Sequence, residues 1–215
     1  MVPSAAVRPG LYAIVDVDAL SRAGRDPVAF ARAVLSLGPL AALQLRAKPL
    51  GTRDMLALAR ALAPLCRAAE TPFYVNDRAD VAALAGADGV HVGTSDLPIA
   101  DVRRVFPGLL VGASSHTDPE VADALAQGPD YLAFGPVFGT RSKADPSPTV
   151  GLDALRVVVA RAARPVVAIG GITLENAESV RATGARAGAV IASLVVDDDR
   201  LAEHARALHR ALGGH

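Results

Sequence analysis

Short apolar runs alternate along the chain with longer stretches, rich in Ala, Leu and Arg, that have helical spacing. This alternation predicts βα units and a parallel sheet, because parallel strands need a crossover that is usually a helix. The apolar runs predict strands near 11–16, 41–46, 72–76, 87–92, 109–113, 130–134, 165–169 and 187–191. Helices are predicted near 27–37, 52–69, 78–85, 98–105, 118–127, 152–163, 173–183 and 199–212.

A repeated unit supports this interpretation. Residues 86–93 resemble residues 128–135 and, more faintly, residues 184–191, and each segment has a helix-ending glycine followed by a strand. No linker divides the chain, so one domain is expected over residues 1–215. Eight strands in such a chain favour a single-domain α/β fold, the (β/α)8 TIM barrel, over an open doubly wound sheet. In a barrel, the chemistry lies in the loops after the strands.

Composition narrows the function. The 22 Lys and Arg residues balance the 22 Asp and Glu residues, so no overall field attracts nucleic acid or an anionic membrane, and neither partner is expected. The single Cys66 excludes an internal disulfide, and the first residues lack a secretion signal, so a cytoplasmic protein is expected. No apolar segment reaches the ~18 residues of a membrane span. Oligomeric state stays open, and a homo-oligomer is compatible with the sequence.

Two cations and an amide follow the second predicted strand. Arg46 and Lys48 could simply be solvated charges at a strand end. Gln44 weakens that alternative, because a buried amide in a barrel needs a partner. Arg can grip a phosphate with two hydrogen bonds while Lys supplies a mobile charge, so this segment predicts an anion site.

Carboxylates follow the third and fourth predicted strands. Asn76 and Asp77 could cap the helix beginning near Arg78, and Asp96 could cap the helix beginning near Pro98. The alternative is a metal site, because two carboxylates plus substrate oxygens and water suit Mg²⁺. Strand ends converge in a barrel, so the sequence predicts an anionic substrate held through a metal.

The second half of the chain offers a further candidate anion site. Residues 139–151 form the longest stretch without apolar periodicity, which is typical of a binding loop, although a simple connector remains an alternative. Gly170 and Gly171 fall between a predicted strand and helix, where backbone amides and a helix N-terminus can bind an anion. Ser193 could add a hydroxyl. The alternative for the glycines is a tight turn.

The remaining polar residues show no nucleophilic triad. Ser114, Ser115 and His116 follow the fifth predicted strand without the spacing of a catalytic triad. His91 falls inside the fourth strand and is expected to be a hydrogen-bonded interior residue. Neither histidine has the companions that a zinc site requires.

With these motifs in this order, the chain resembles the thiamine phosphate synthase family over residues 11–194. Its Gln-Leu-Arg-x-Lys motif corresponds to residues 44–48, its Asn-Asp to 76–77 and its Gly-x-x-Asp-Leu-Pro to 93–98. Its Gly-x-Ser-x-His corresponds to 112–116, its Gly-Pro-x-Phe loop with Thr, Thr and Lys to 135–143, and its final motif to 168–172. The resemblance implies a (β/α)8 barrel that joins hydroxymethylpyrimidine diphosphate to hydroxyethylthiazole phosphate and releases diphosphate.

The resemblance also implies residue roles, which we state as expectations. Asp77 and Asp96 would hold the Mg²⁺ cofactor. The diphosphate would be bound by Arg46, Lys48, Asn76 and Lys143, and the pyrimidine by Gln44 and Ser114. The thiazole phosphate would be bound by Thr140, Ser142, Gly170, Gly171, Ile191 and Ser193. The catalytic groups would be Arg46, Lys48, Ser114 and Lys143.

The chain departs from the family in two places. The family usually ends strand eight with Ile-Ser, whereas Ser193 here lies one position later, after Ile191-Ala192. In a strand, such a shift would reverse the direction of the side chain. The second threonine of the long loop is Ser142, which keeps the hydroxyl.

Two rival functions remain open at this point. A thiazole tautomerase would share the barrel and a histidine such as His116, but the isomerisation has no evident need for Asp77, Asp96 and Lys48 together. A non-catalytic barrel that binds a phosphorylated ligand is the other alternative, since a fold alone implies no activity.

Overall fold

The structure is a computed structural model that describes residues 6–139 and 148–215. Eight parallel strands pair in chain order, and β8 pairs with β1 to close a barrel. The strands are β1 (Gly10–Asp16), β2 (Ala42–Arg46), β3 (Phe73–Asn76), β4 (Gly89–Val92), β5 (Leu110–Ser115), β6 (Tyr131–Phe134), β7 (Val166–Ile169) and β8 (Ala187–Val190). The predicted barrel is confirmed, and each strand lies within two residues of its predicted bounds.

Helices pack around the barrel between successive strands. They are α1 (Val17–Arg22), α2 (Pro27–Leu35), α3 (Thr52–Ala68), α4 (Ala79–Ala85), α5 (Ile99–Val105), α6 (Asp118–Ala126), α7 (Gly151–Arg161), α8 (Ala177–Arg181) and α9 (Asp198–Ala211). A 3₁₀ turn, Ala192–Leu194, follows β8. None of the helices in the described ranges is both long enough and apolar enough to cross a membrane.

Two helical segments differ from the prediction. Helix α1 was not predicted. It is a short segment that begins where Asp16 Oδ1 accepts a hydrogen bond from Ala19 N (2.9 Å). The predicted helix over 173–183 is wrong in its first turn, because α8 begins only at Ala177. The side chain of Asn176 accepts from Thr173 N and donates to Gly171 O, both at 2.9 Å, so a turn replaces that part of the helix.

The core has two layers. Aliphatic side chains on the outer faces of the strands pack against the helices, and Leu43, Leu45 and Val90 are typical members. A smaller cluster fills the inside of the barrel around the rings of Tyr12, Tyr74 and Tyr131. The centroids of these rings lie 5.2–6.2 Å apart. Because the rings plug the interior, open space for a ligand remains at the mouth of the barrel.

Candidate active site

The predicted site residues lie at the carboxyl ends of the strands. Arg46 and Asn76 are the last residues of β2 and β3, and Asp77 directly follows β3. Asp96 lies in the loop after β4, and Ser114 is near the end of β5. The barrel therefore gathers residues from successive βα units at one mouth, as the strand pattern predicted.

Arg46 is held by a carboxylate that the sequence analysis missed. Its Nη1 lies 2.5 Å from Asp16 Oδ2, and Asp16 is buried at the end of β1, opposite Arg46 in the strand register. The other oxygen of Asp16 caps α1. The sequence did contain an indication of this ion pair, because Asp16 ends the first apolar run as Arg46 ends the second. Only the pairing of β1 with β2, however, places the two side chains together.

Lys48, Asp77 and Asp96 form a charged cluster. Lys48 Nζ lies 3.6 Å from Asp77 Oδ2. Burial, a hydrogen bond to Asp96 and the charge of Asp96 raise the pKa of Asp77 to about 6, against the opposing effect of Lys48. The two carboxylates are thus close enough for the negative charge of one to favour a proton on the other. A cation bound between them would remove this effect.

The two carboxylates do not cap helices, so the capping alternative is wrong. Neither Arg78, the N-cap residue of α4, nor Pro98, the N-cap residue of α5, makes a side-chain capping bond. Asp96 Oδ2 instead accepts a hydrogen bond from Gly93 N (2.7 Å). Asp77 has a φ of 65°, in the left-handed region that non-glycine residues seldom adopt outside functional or tightly constrained sites.

A chain of hydrogen bonds crosses the barrel interior beneath the mouth. Gln44 Nε2 donates to Tyr12 Oη (3.0 Å), and Tyr12 Oη lies 2.7 Å from Tyr131 Oη. Tyr131 Oη lies 2.8 Å from His91 Nδ1, and His91 Nε2 lies 2.8 Å from Ser114 Oγ. The expected interior role of His91 is confirmed. The chain also gives Gln44 the partner that a buried amide requires and fixes Gln44 and Ser114 relative to one another.

A cavity of about 520 Å³ opens at the ends of β5 to β8. Its lining includes Ser114, Gly170, Gly171, Ile191 and Ser193, all of which the sequence analysis selected. A neighbouring cavity of about 470 Å³ lies between the loop after β4 and α6, and its lining includes Asp96. Ser114 lines both cavities and therefore stands between the carboxylate side of the mouth and the glycine side.

The two glycines after β7 are required by their surroundings. Gly170 and Gly171 have φ values of 100° and 63°. A Cβ on Gly171 would lie 2.4 Å from Gly139 O. The predicted helix N-terminus directly behind these glycines is wrong, because the Asn176 turn separates them from α8. Any anion binding here must depend on loop groups.

Ser193 lies outside the last strand of the barrel. β8 ends at Val190, and Ser193 lies in the 3₁₀ turn, so reversal of side-chain direction along a strand does not apply to it. Its Oγ lies 3.3 Å from Nε2 of His204, a residue on α9 that the sequence analysis did not select. Both residues line the larger cavity.

Three predicted residues, Thr140, Ser142 and Lys143, lie outside the described residues. Within the described ranges, no group of three or more His, Cys, Asp or Glu side chains is placed to hold a metal ion. Asp77 and Asp96 therefore offer two carboxylates, and a metal there would need oxygens from substrate or water as well.

The closed parallel barrel, with its charged and glycine-rich mouth, defines the protein as a (β/α)8-barrel enzyme. Residues 11–194 match the family model described as thiamine monophosphate synthase. The chain belongs to this family.

Individual relatives are similar to this chain over most of their length. The chain is 42% identical over 189 residues to the thiamine-phosphate synthase of Chloroflexus aurantiacus, covering 88% of this chain and 86% of the relative. It is 43% identical over 212 residues to that of Koribacter versatilis, covering 94% and 96%. The solved structure of thiamine phosphate pyrophosphorylase from Pyrococcus furiosus superposes with a TM-score of 0.84 at 35% identity, covering 94% and 95%.

Proposed function

We propose that this enzyme joins hydroxymethylpyrimidine diphosphate to hydroxyethylthiazole phosphate, forming thiamine phosphate and diphosphate. Family membership supports the activity, and the division of the mouth supports the choice of substrates. The observation that carries the proposal is the placement of Ser114 between a charged side, with Lys48, Asp77 and Asp96, and a cavity bordered by Gly170 and Gly171. A diphosphate would bind on the charged side and a phosphorylated acceptor on the glycine side.

The charged side suits a leaving diphosphate. In the proposed reaction the C–O bond of the pyrimidine substrate breaks, and its electron pair leaves with the diphosphate. Arg46, oriented by Asp16, and Lys48 would bind the phosphate oxygens and stabilise the charge that develops on them. Because Asp16 already fixes the guanidinium, Arg46 loses less conformational freedom on binding.

The hydrogen-bonded chain in the barrel suits the pyrimidine. Gln44 and Ser114, at its two ends, would contact the polar edges of the ring and hold the methylene carbon toward the larger cavity. The electron-rich ring spreads the positive charge of the methylene carbon, and the thiazole nitrogen then supplies the electron pair of the new C–N bond. This balance uses no protein nucleophile.

Asp77 and Asp96 fit a magnesium ion. Their contact leaves one carboxylate tending to hold a proton, and a divalent cation would replace that proton and relieve their repulsion. Bound there, Mg²⁺ would supply charge neutralisation for the departing diphosphate.

The test is a diphosphate-release assay with each substrate alone and with both, with and without Mg²⁺, followed by chromatography of the product. We expect diphosphate and thiamine phosphate only when both substrates and Mg²⁺ are present. Asp77→Asn and Asp96→Asn should each lower kcat by about a hundredfold or more, with partial recovery at high Mg²⁺.

Asp123→Asn is the matched control, because Asp123 lines the neighbouring cavity and its carboxylate accepts a hydrogen bond from Gln127 rather than facing Asp77. Full activity of an Asp77→Asn, Asp96→Asn double variant without Mg²⁺ would exclude the metal role. Rearrangement of a thiazole substrate without diphosphate release would instead support the isomerase, and binding of both substrates without any product would support a sensor. The expected cytoplasmic location, homo-oligomer and lack of a nucleic-acid partner remain predictions.

A further inference from the structure

His204 places an ionisable imidazole on the glycine side of the barrel mouth, where the phosphorylated acceptor substrate is proposed to bind. It projects from α9 and lines the larger cavity together with Gly170, Gly171 and Ser193. The side chain is half-buried, and its Nε2 lies 3.3 Å from Ser193 Oγ. An imidazole in this place is open to the cavity and coupled to a hydroxyl that borders the same space.

The other polar groups at this end of the cavity are neutral or acidic. Gly170 and Gly171 contribute backbone, and Thr173 and Ser193 contribute hydroxyls. Among the described lining residues, the basic side chains are His116 and His204. His116 belongs to the β5 side, where its Nδ1 lies 3.0 Å from Glu120 Oε2. His204 is therefore the basic side chain that the described lining places beside Ser193.

Charged groups of both signs lie on the elements around His204. The exposed carboxylate of Glu175 lies after β7, and its pKa is lowered chiefly by a hydrogen bond with Thr173 and least by the charge of His204. The elements packed against α9 carry further charged groups: Asp16 on β1, Arg32 on α2, and Glu178 and Arg181 on α8. Arg25 bonds to Val196 O and Asp198, which ties the start of α9 to the loop before α2.

We propose that His204 is a binding residue for the phosphate of the acceptor substrate and that it acts in its protonated form, together with Ser193. The inference deepens the proposed function and rests on it for the identity of the phosphorylated compound. Binding of an anion by Ser193 and His204 does not depend on which phosphorylated compound is the substrate.

The Ser193–His204 pair gives a physical reason for the pH dependence. When the imidazole is protonated, Nε2–H donates to Ser193 Oγ, and the serine hydroxyl is free to donate to a phosphate oxygen. When the imidazole is neutral with its proton on Nδ1, the serine hydroxyl donates to Nε2 and is turned away from the anion. Protonation thus adds a positive charge and releases a hydrogen-bond donor at the same time.

Nuclear magnetic resonance of the imidazoles with sulfate as the probe tests this directly. Sulfate remains dianionic from pH 5.5 to 8.5, so any pH dependence of its binding belongs to the protein. The chain has five histidines, and His204→Gln assigns the His204 signal by its loss. If protonation strengthens sulfate binding about tenfold, reciprocity requires saturating sulfate to raise the titration midpoint of His204 by about one pH unit.

Kinetics provide the second readout. We expect the KM for hydroxyethylthiazole phosphate to rise about five- to tenfold in His204→Gln at pH 6, with kcat changed less than twofold, and the difference from wild type to shrink at pH 8. The comparison at equal pH cancels the titration of the substrate phosphate. Ser193→Ala should weaken the pH dependence of KM, because it removes the hydroxyl that the imidazole controls. His116→Gln, on the opposite side of the cavity, should leave the sulfate effect on His204 intact.

The outcomes separate this proposal from the proposed function. A His204 signal that does not respond to sulfate, with an unchanged KM in His204→Gln, overturns the proposal even if thiamine phosphate is formed. A sulfate-dependent His204 signal in a protein that forms no thiamine phosphate supports the anion site and contradicts the proposed reaction instead. Equal loss of sulfate binding in His204→Gln at pH 6 and pH 8 would contradict the protonated form as the acting species.

Discussion

At the scale of single residues, the carboxylate pair of Asp77 and Asp96 lowers the stability of the folded protein at neutral pH. Burial and, after it, contact with Asp96 raise the pKa of Asp77 to about 6, so the folded protein holds a proton that the unfolded chain would release at the same pH. The contribution of this group to stability is therefore present below its ordinary range near pH 4 and is lost as the pH rises through about 6. At neutral pH the carboxylate pair is strained electrostatically.

Asp77→Asn should therefore stabilise the metal-free protein at pH 8 by about 1 kcal/mol, a figure reduced for partial exposure to solvent. The gain should be smaller at pH 5, where Asp77 already holds its proton. Urea unfolding at both pH values measures the difference, and Asp153→Asn, at an exposed position on α7, is the control. A variant less stable than wild type at pH 8 would show that Lys48 more than compensates for the pair.

At the scale of elements, α9 packs against β1 beside the position where β1 pairs with β8. His209 on α9 is buried, and its Nδ1 accepts a hydrogen bond from Leu11 N on β1 (3.3 Å). Burial lowers the pKa of His209. The same helix thus joins two roles, because His204 borders the cavity and His209 packs under the first strand.

This packing predicts an acid-sensitive contact. Since the unfolded chain binds a proton more readily at His209 than the folded chain does, its contribution to stability is full above about pH 6.5 and is lost as the pH falls through the lowered folded-state pKa. The melting temperature should fall less between pH 7 and pH 5 in His209→Asn, which keeps an acceptor near Nδ1 without becoming charged. Arg206→Gln, at an exposed position on the same helix, is the control. Parallel curves for wild type and His209→Asn would exclude this explanation.

At the scale of the whole molecule, the barrel is filled rather than hollow. A Cβ on Gly112 of β5 would lie 2.1 Å from Cζ of Tyr131, so this glycine makes room for a tyrosine of the neighbouring strand. The hydroxyl of the same tyrosine joins the chain from Gln44 to Ser114. Packing inside the barrel and alignment of the pyrimidine site therefore depend on one set of rings.

Gly112→Ala should destabilise the protein by about 1–3 kcal/mol, because a well-packed ring must move to admit the methyl group. Activity should fall along with stability, since displacement of Tyr131 disturbs His91 and Ser114. Chemical unfolding and kcat at a temperature where the variant is folded measure the two effects. Gly108→Ala, where a Cβ meets no atom within 4 Å, is the control. Unchanged stability would mean that the interior can relax around the added carbon.

The sequence by itself determined the alternation of strands and helices, and with it the barrel and the strand ends where Arg46, Asn76 and Asp77 lie. These features follow from local periodicity, which neighbouring residues express without the rest of the chain. Short segments such as α1 and the turn before α8 were not predicted, because a single hydrogen-bonding side chain determines each of them. That side chain is Asp16 for α1 and Asn176 for the turn.

Only the tertiary structure decided which polar groups meet. Asp16 reaches Arg46 because β1 and β2 pair in register, and the tyrosines connect Gln44 to Ser114 because the sheet closes around them. Likewise, His204 borders the cavity because α9 packs beside the turn that carries Ser193. Such contacts join segments that have no common periodicity, so barrel closure, rather than local pattern, brings their charges and hydrogen bonds together.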